Sequence, residues 1–194
     1  MVFLIKSIAL GREKFGLPEK EKTCLDKFYQ ISGGKSMFRA MRRFKQQLPQ
    51  EECAAILKQE KRGVLAVSGD DGYPYALPIN FIYDEKDEKL YFHCAKAGYK
   101  LDALRRSNKV SFLVHDQGFV KDGDWALNIK SVIIFGRIRF VEDREETIDR
   151  VRKLALKYYP TPEAAEEEVK KAGDRVQILE LTIDHMTGKL VNES

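Results

Sequence analysis

The stretch that most constrains this chain, residues 90–104, reads as a strand that passes through a glycine turn into a helix. Leu, Phe and Cys occupy every second position of its first five residues, which is the period of a half-buried strand. After Gly98, Leu101 and Leu104 lie three positions apart, as on the apolar side of a helix. A helix that begins directly after such a turn leaves its first backbone N–H groups unpaired, and these groups attract an anion.

This turn is a candidate site for a phosphate group. Lys96 and Lys100 flank it and can add positive charge, and His93 comes just before it. The alternative is an ordinary strand–helix junction with solvated lysines, since short patterns of this kind recur by chance. The glycine motifs of P-loop and dinucleotide-binding proteins are absent from the sequence, so the ligand stays open at this point.

Six segments with strand patterns are separated by links of turn size, with few helices between them. The strands are expected at residues 63–68, 75–83, from 90 on, 109–115, 130–141 and 176–183. Helices are expected at residues 49–60, 100–106, 143–159 and from Pro162 on. This order predicts a mainly β (α+β) fold, a mostly antiparallel barrel with peripheral helices.

Pro78 lies inside the second expected strand and constrains how that strand is placed. Because proline has no N–H for a sheet ladder, it belongs at an edge or at a bulge. A bulge would free the backbone of residues 79–81 to meet a ligand, whereas a plain edge strand needs no ligand. The sequence favours the two alternatives equally.

The composition limits the kinds of protein that this chain can be. The 194 residues are 43% hydrophobic, which suits one globular domain with a sizeable core. The sequence has no apolar run long enough to span a membrane, and its start does not resemble a secretory signal. The three cysteines, Cys24, Cys53 and Cys94, form no close pair, which argues against a disulfide framework or a zinc site. We therefore expect a reducing, cytoplasmic location.

Positive charge is concentrated ahead of the expected domain. Residues 1–48 contain eleven Lys or Arg and four Asp or Glu, whereas the remaining residues contain 23 and 26. A glycine-containing linker that ends at Ser36 separates a basic N-terminal extension, residues 1–36 with a short helix near residues 25–31, from a domain at residues 37–194. Because the domain itself is slightly acidic, neither nucleic acid nor a membrane is expected as its partner.

The sequence carries no recognisable acid–base or metal constellation. The three histidines, His93 among them, lack the pair spacing of a metal site, and no serine lies in a nucleophile motif. This absence favours a cofactor as the carrier of chemistry. A flavin needs a phosphate clamp, backbone groups along its ring and an aromatic cover. Lys100 with its turn, the strand that contains the proline, and Phe81 or Trp125 can supply these parts.

Four motifs follow one another along the chain: Pro78-Ile-Asn-Phe81, Leu-Tyr-Phe-His-Cys-Ala at residues 90–95, Gly98-Tyr-Lys100, and Ser-Val-Ile-Ile-Phe-Gly at residues 131–136. In this order they resemble the pyridoxamine 5′-phosphate oxidase-like flavoproteins, and among these the nitroimidazole-resistance (Nim) type. The resemblance covers about residues 37–190, including a similar closing strand at residues 181–189. It implies a six-stranded antiparallel split β-barrel of Greek-key topology, and a homodimer with FMN in two clefts between the protomers.

The resemblance also implies which residues bind the FMN. They are Pro78, Ile79, Asn80 and Phe81 along the ring, then His93, Cys94 and Ala95 beside the ring and ribityl chain, and finally Lys100, Ser131 and Trp125. Lys100 would pair with the phosphate, and Ser131 would donate from the neighbouring strand. Trp125 would cover the flavin from the partner subunit.

The sequence allows two interpretations of His93. It is a tentative catalytic residue, because imidazole titrates near neutral pH and can donate a proton beside a reacting ring. The alternative is a histidine that is hydrogen-bonded across strands. The chain departs from the family pattern at Ile129, where such proteins often have an aromatic residue, so the resemblance does not define that part of a substrate pocket.

The implied activity is that of an FMN-dependent oxidoreductase, which passes electrons from a reduced nicotinamide to a small organic acceptor, with nitroreduction as one such reaction. One rival is a non-catalytic protein that binds flavin or haem, and haem or a deazaflavin could replace FMN in the same fold. Another rival is a barrel that binds single-stranded nucleic acid on aromatic platforms such as Phe81, Tyr91 and Trp125, which the acidic balance of the domain opposes.

Overall fold

The computed structural model describes residues 38–192. The chain divides into two units, Met1–Ala40 and Met41–Ser194, and the fold described is that of the second unit. The short helix expected near residues 25–31 and the expected domain boundary after residue 36 lie outside the described residues.

Within residues 38–192 the chain forms eight strands and four α-helices. The strands are β1 (Gln47–Leu48), β2 (Arg62–Ser68), β3 (Pro74–Asp84), β4 (Lys89–Ala95), β5 (Lys109–His115), β6 (Phe119–Val120), β7 (Leu127–Val141) and β8 (Val176–Asn192). The helices are α1 (Gln50–Gln59), α2 (Tyr99–Arg106), α3 (Arg144–Tyr158) and α4 (Pro162–Ala172). All six expected strands and all four expected helices are present. None of the described helices is long and apolar enough to cross a membrane.

Six of these strands close into an antiparallel barrel. The neighbours run β4–β3–β2–β5–β7–β8, and β8 then pairs with β4, which completes the ring. β8 serves both neighbours because residues 176–182 pair with β4, while residues 178–192 pair with β7. The two short strands β1 and β6 extend the sheet at β8 and β7. The predicted fold class, a mainly β split barrel of six antiparallel strands with peripheral helices, is confirmed.

The last strand is longer than expected. The residue pattern predicts its end at residue 183, yet β8 continues to Asn192. The register between β7 and β8 shifts next to Phe135, so that Asp184 is the extra residue of a bulge. Arg137 stabilises the bulge by donating to the Asp184 carboxylate from Nη2 at 2.7 Å and from Nε at 3.0 Å. The polar residues after Ile183 are therefore accommodated inside a strand.

Apolar side chains from every barrel strand fill the interior. Phe112 contacts Phe81 and Phe92 edge to face, with ring centroids 5.0 and 5.1 Å apart. Fully burying one such side chain stabilises a fold by about 1.5–3 kcal/mol. A second cluster, in which Ile82 and Tyr91 meet the inner faces of α3 and α4, covers the outside of β3 and β4.

Helix α2 packs onto the barrel core and positions the turn that precedes it. Its residues Leu101 and Leu104 are buried in that core. The Tyr99 hydroxyl accepts a hydrogen bond from the Asp70 N–H (2.6 Å), and Arg106 forms an ion pair with the Asp70 carboxylate (2.5 Å). These contacts tie α2 to the turn between β2 and β3, so the start of α2 stays close to the end of β4.

Candidate functional site

The barrel is split where β3 and β4 separate. The two strands pair only from Phe81 opposite Phe92 to Asp84 opposite Lys89. Residues 74–80 of β3 pair with β2 on one side and, among the described residues, with no strand on the other. Pro78 lies in this open edge, where its missing N–H leaves no ladder bond unmade. The edge alternative is therefore confirmed, because the register between β2 and β3 runs without a bulge.

Backbone groups along this edge alternate in direction. The Phe81 N–H donates to the Tyr158 hydroxyl (2.8 Å), which lies 2.9 Å from the Phe81 C=O and also contacts the Lys61 C=O on the β2 side. Because successive residues of a strand direct these groups to opposite sides, the N–H of Asn80 and the C=O of Pro78 face the open edge. Between Pro78 and Asn80 the edge therefore offers a backbone donor and a backbone acceptor to a ligand.

A cleft of about 290 Å³ opens along this edge. It is lined by Arg62, Pro78, Ile79, Asn80 and His93, which come from β2, β3 and β4. Four of the predicted site residues thus meet in one place. The volume lies just below the roughly 300–1,000 Å³ that is typical of ligand pockets.

Arg62 is the lining residue that the sequence did not indicate. It lies opposite Asn80 in the β2–β3 register, and its Nε donates to the Asn80 Oδ1 at 3.3 Å. No side chain or carbonyl within residues 38–192 accepts from its two terminal nitrogens. A permanent positive charge with unused donors therefore borders the cleft.

His93 and Cys94 follow on β4. Surrounding protein atoms partly remove the His93 imidazole from solvent, which disfavours its charged form and lowers its pKa. The positive charge of Lys100 lowers this pKa further, so the imidazole is mostly neutral at pH 7. Burial raises the pKa of the Cys94 thiol, which donates weakly to the Gln177 C=O (3.8 Å). Ala95 is exposed at the end of β4. The catalytic role of His93 stays a prediction, since a neutral imidazole can either donate or accept.

The turn before α2 has the features of an anion site. Gly98 has φ of +132°, a conformation that side chains strongly disfavour. The N–H groups of Leu101 and Asp102 bond to the Gly98 C=O, which leaves those of Tyr99 and Lys100 without an acceptor in the described part of the chain. Lys100 is half-buried and forms no ion pair with any described carboxylate. Free donors and an unpaired ammonium thus meet at the start of α2.

Three predicted residues lie away from the cleft surface of their own chain. Phe81 is fully buried behind the edge. Ser131 lies on β7 opposite His115 of β5, and Trp125 lies in the loop before β7 with 79% of its surface exposed. Their roles in cofactor binding stay predictions.

An exposed apolar patch continues from the cleft across the barrel. It consists of outward residues on adjacent strands, Val64, Leu113, Ile133 and Phe135, which are 36 to 41% exposed. Pro78 pairs with Val64, Val64 with Leu113, and Leu113 with Ile133, so the patch forms one row that starts at the cleft. Contiguous exposed apolar surface of this kind marks an interaction site.

The described residues contain no group of three or more His, Cys, Asp or Glu side chains that could hold a metal ion. The fold and the cleft instead define a class, the split barrels that are open between two diverging strands. Comparison with known families places the chain within that class. It belongs to the pyridoxamine 5′-phosphate oxidase family, whose model matches residues 49–190. The family resemblance predicted from the four motifs is confirmed.

Several solved structures are similar. A candidate 5-nitroimidazole antibiotic resistance protein from Bacteroides thetaiotaomicron is 22% identical, with a TM-score of 0.62, over 75% of this chain and 87% of that chain. A conserved hypothetical protein, Rv2991, from Mycobacterium tuberculosis is 18% identical, with a TM-score of 0.66, over 77% of this chain and 90% of that chain. An FAD and heme binding protein from Mycobacterium smegmatis is 20% identical, with a TM-score of 0.62, over 75% and 73%. At these identities the likeness shows the fold. No curated protein matches the chain in sequence.

Proposed function

We propose that this protein binds FMN along the open edge of β3 and acts as an oxidoreductase, passing electrons from a reduced nicotinamide to a small organic acceptor. The observation that carries the proposal is the alignment of two half-sites. The free backbone groups of Pro78 and Asn80 suit the polar edge of a ring, and the donors at Tyr99 and Lys100 suit a phosphate. Membership of the family and the similarity to an FAD and heme binding protein support a flavin as the ligand.

Each part of the cleft has one task in this proposal. Lys100 and the first N–H groups of α2 hold the phosphate, and the edge of β3 orients the ring. His93 lies in the opposite wall, and β4 would follow the ring and the ribityl chain through Cys94 and Ala95. The cofactor supplies the electron-transfer chemistry, which the neutral His93 and the protonated Cys94 do not.

We propose further that the protein is a homodimer in which each protomer completes the other's cleft. The cleft of one chain is small, about 290 Å³, and the apolar patch of Val64, Leu113, Ile133 and Phe135 begins at its rim. A two-fold axis through such a patch would bury the same surface on both chains. Trp125, which lies outside the cleft of its own chain, would then cover the flavin of the partner, and Ser131 would donate a hydrogen bond from its strand. Cys53 and Cys94, the cysteines within residues 38–192, form no disulfide, which supports a cytoplasmic location.

A second candidate is a non-catalytic flavin- or haem-binding protein. It is favoured by the absence of any carboxylate from the cleft lining, Arg62, Pro78, Ile79, Asn80 and His93, which leaves no evident acid for turnover. Anaerobic mixing of the FMN-loaded protein with a reduced nicotinamide separates the two functions. Bleaching of the flavin within seconds supports the oxidoreductase, and an unchanged spectrum supports the binding protein.

The FMN site itself is tested by titrating the apoprotein with FMN. Lys100→Ala should weaken binding about tenfold to a hundredfold, because a charge-assisted contact to phosphate contributes about 1.5–3 kcal/mol. Lys109→Ala, at the exposed start of β5, is the matched control and should bind FMN as the unaltered protein does. Equal affinities for all three proteins would contradict the phosphate site, and riboflavin should bind Lys100→Ala and the unaltered protein equally.

A further inference from the structure

Arg62 is the one residue of the cleft lining that carries a permanent charge. We propose that Arg62 raises the reduction potential of the flavin by holding this charge beside the ring. The inference rests on the proposed binding of FMN and adds a role for a residue to which neither the motifs nor the family comparison assigned one.

The register of the barrel places Arg62 beside Asn80, and one side-chain hydrogen bond joins the two residues. It begins β2, directly opposite Asn80, and the bond from its Nε to the Asn80 Oδ1 orients the planar guanidinium. The Asn80 backbone faces the open edge. The residue whose backbone would meet the ring therefore also holds the Arg62 guanidinium, through its side chain. Among the described residues, no group accepts a hydrogen bond from the two terminal nitrogens of Arg62, so both can donate to a ligand.

The direction of the cleft places Arg62 at the ring rather than at the phosphate. Asn80 lies one residue beyond Phe81, the last residue of β3 that pairs with β4, so Arg62 borders the closed end of the split. The turn before α2 follows Ala95, at the open end. With the phosphate at Lys100, the ring extends toward Asn80, and the two cations border opposite ends of the ligand.

A cation at the ring favours the reduced cofactor. A hydride from a reduced nicotinamide brings two electrons and one proton, so the bound flavin gains one negative charge at neutral pH. Charge near the ring nitrogens is one of the means by which a protein tunes a flavin. The guanidinium therefore strengthens binding of the reduced form more than that of the oxidised form. A tenfold change in this affinity ratio corresponds to about 30 mV for a two-electron couple.

The test compares the reduction potentials of the FMN-loaded unaltered protein, Arg62→Gln and Arg62→Lys, each measured by equilibration with a reference dye. Arg62→Gln should shift the affinity ratio at least tenfold, which lowers the potential by about 30 mV or more. Arg62→Lys should keep most of the potential, because the charge is retained. Lys58→Gln, which removes an exposed charge of α1 paired with Glu85, is the control and should change nothing.

Three outcomes would overturn the inference, and they differ from one another. Equal potentials for the unaltered protein and Arg62→Gln, together with a raised KM for the nicotinamide or acceptor, would show that Arg62 binds the substrate. Equal potentials with unchanged KM values would show an ordinary surface arginine. A protein that takes up no FMN at all would refute the proposed function as well, whereas normal FMN uptake with unshifted potentials refutes only the role of Arg62.

Discussion

Replacement of Glu180 by glutamine should destabilise the barrel through the loss of one buried charge. Glu180 lies on β8 with 3% of its surface exposed. Its carboxylate accepts hydrogen bonds from Lys89 (2.9 Å) and Arg139 (2.5 Å), and the Tyr91 hydroxyl lies 3.3 Å away. Burial alone raises the pKa of Glu180, but the bonds from Arg139 and Lys89 outweigh it and hold the pKa at about 2, compared with an ordinary value of 4.5.

This lowered pKa sets the size and the pH range of the effect. It corresponds to about 3 kcal/mol of folding stability, which is fully present above pH 4.5 and is lost as the pH falls toward 2. At pH 7, Glu180→Gln should reduce the free energy of unfolding by about 2–3 kcal/mol. The lower part of this range is expected because Arg139 and Lys89 are partly exposed and can turn to water.

Urea unfolding followed by far-ultraviolet circular dichroism at pH 7 and at pH 3 measures both quantities. From pH 7 to pH 3 the unaltered protein should lose more stability than Glu180→Gln. The two proteins differ only at position 180, where the unaltered protein has a carboxylate that titrates and the variant has an amide that does not. Glu167→Gln breaks an exposed pair on α4 and should leave the unfolding midpoint unchanged. The reasoning fails if Glu180→Gln unfolds at the same urea concentration as the unaltered protein at pH 7.

Three further predictions concern the region around the cleft. Tyr158→Phe removes the hydroxyl that bonds to the Phe81 backbone and should lower the free energy of unfolding in urea by about 1–3 kcal/mol. The same variant should bind FMN severalfold more weakly, and an unchanged FMN affinity would show that the hydroxyl does not hold the edge of β3. Burial lowers the pKa of Lys157 to about 8. The free energy of unfolding of the unaltered protein should therefore rise between pH 8 and pH 10 more than that of Lys157→Met. Equal pH dependence of the two unfolding free energies would contradict the burial of a charged amine. Ile133→Glu, in the apolar patch, should convert the proposed dimer to a monomer in sedimentation velocity, and a dimer that persists in this variant would show that the patch is not the interface.

The positions of the strands could be predicted from the sequence because burial of one face imposes a period of two. In β3 the alternate residues Tyr75, Phe81 and Tyr83 pack toward the barrel core, as that period indicates. The missing N–H of Pro78 limited its position to an edge or a bulge, and only the register between β2 and β3 decided for the edge. The turn at Gly98 could be found for the same reason, because its chemistry lies within a few consecutive residues.

The rest of the site depends on pairings between distant parts of the chain. Arg62 enters the cleft only because β2 and β3 align it with Asn80, and Tyr158 meets Phe81 only because α3 packs against the barrel. Neither residue carries a local signal of its own. The alternation of apolar residues stops at Ile183 and does not predict the rest of β8, because the register of β7 and the bond to Arg137 place Asp184 in a bulge.

The most direct test of the account is the visible absorption spectrum of the freshly purified protein, with mass analysis of any ligand released by heat. The account predicts flavin bands and FMN in the supernatant, at one FMN per chain. A protein without visible absorption that takes up no added FMN would contradict it. A haem spectrum would also contradict the proposed cofactor while leaving the split barrel unchanged.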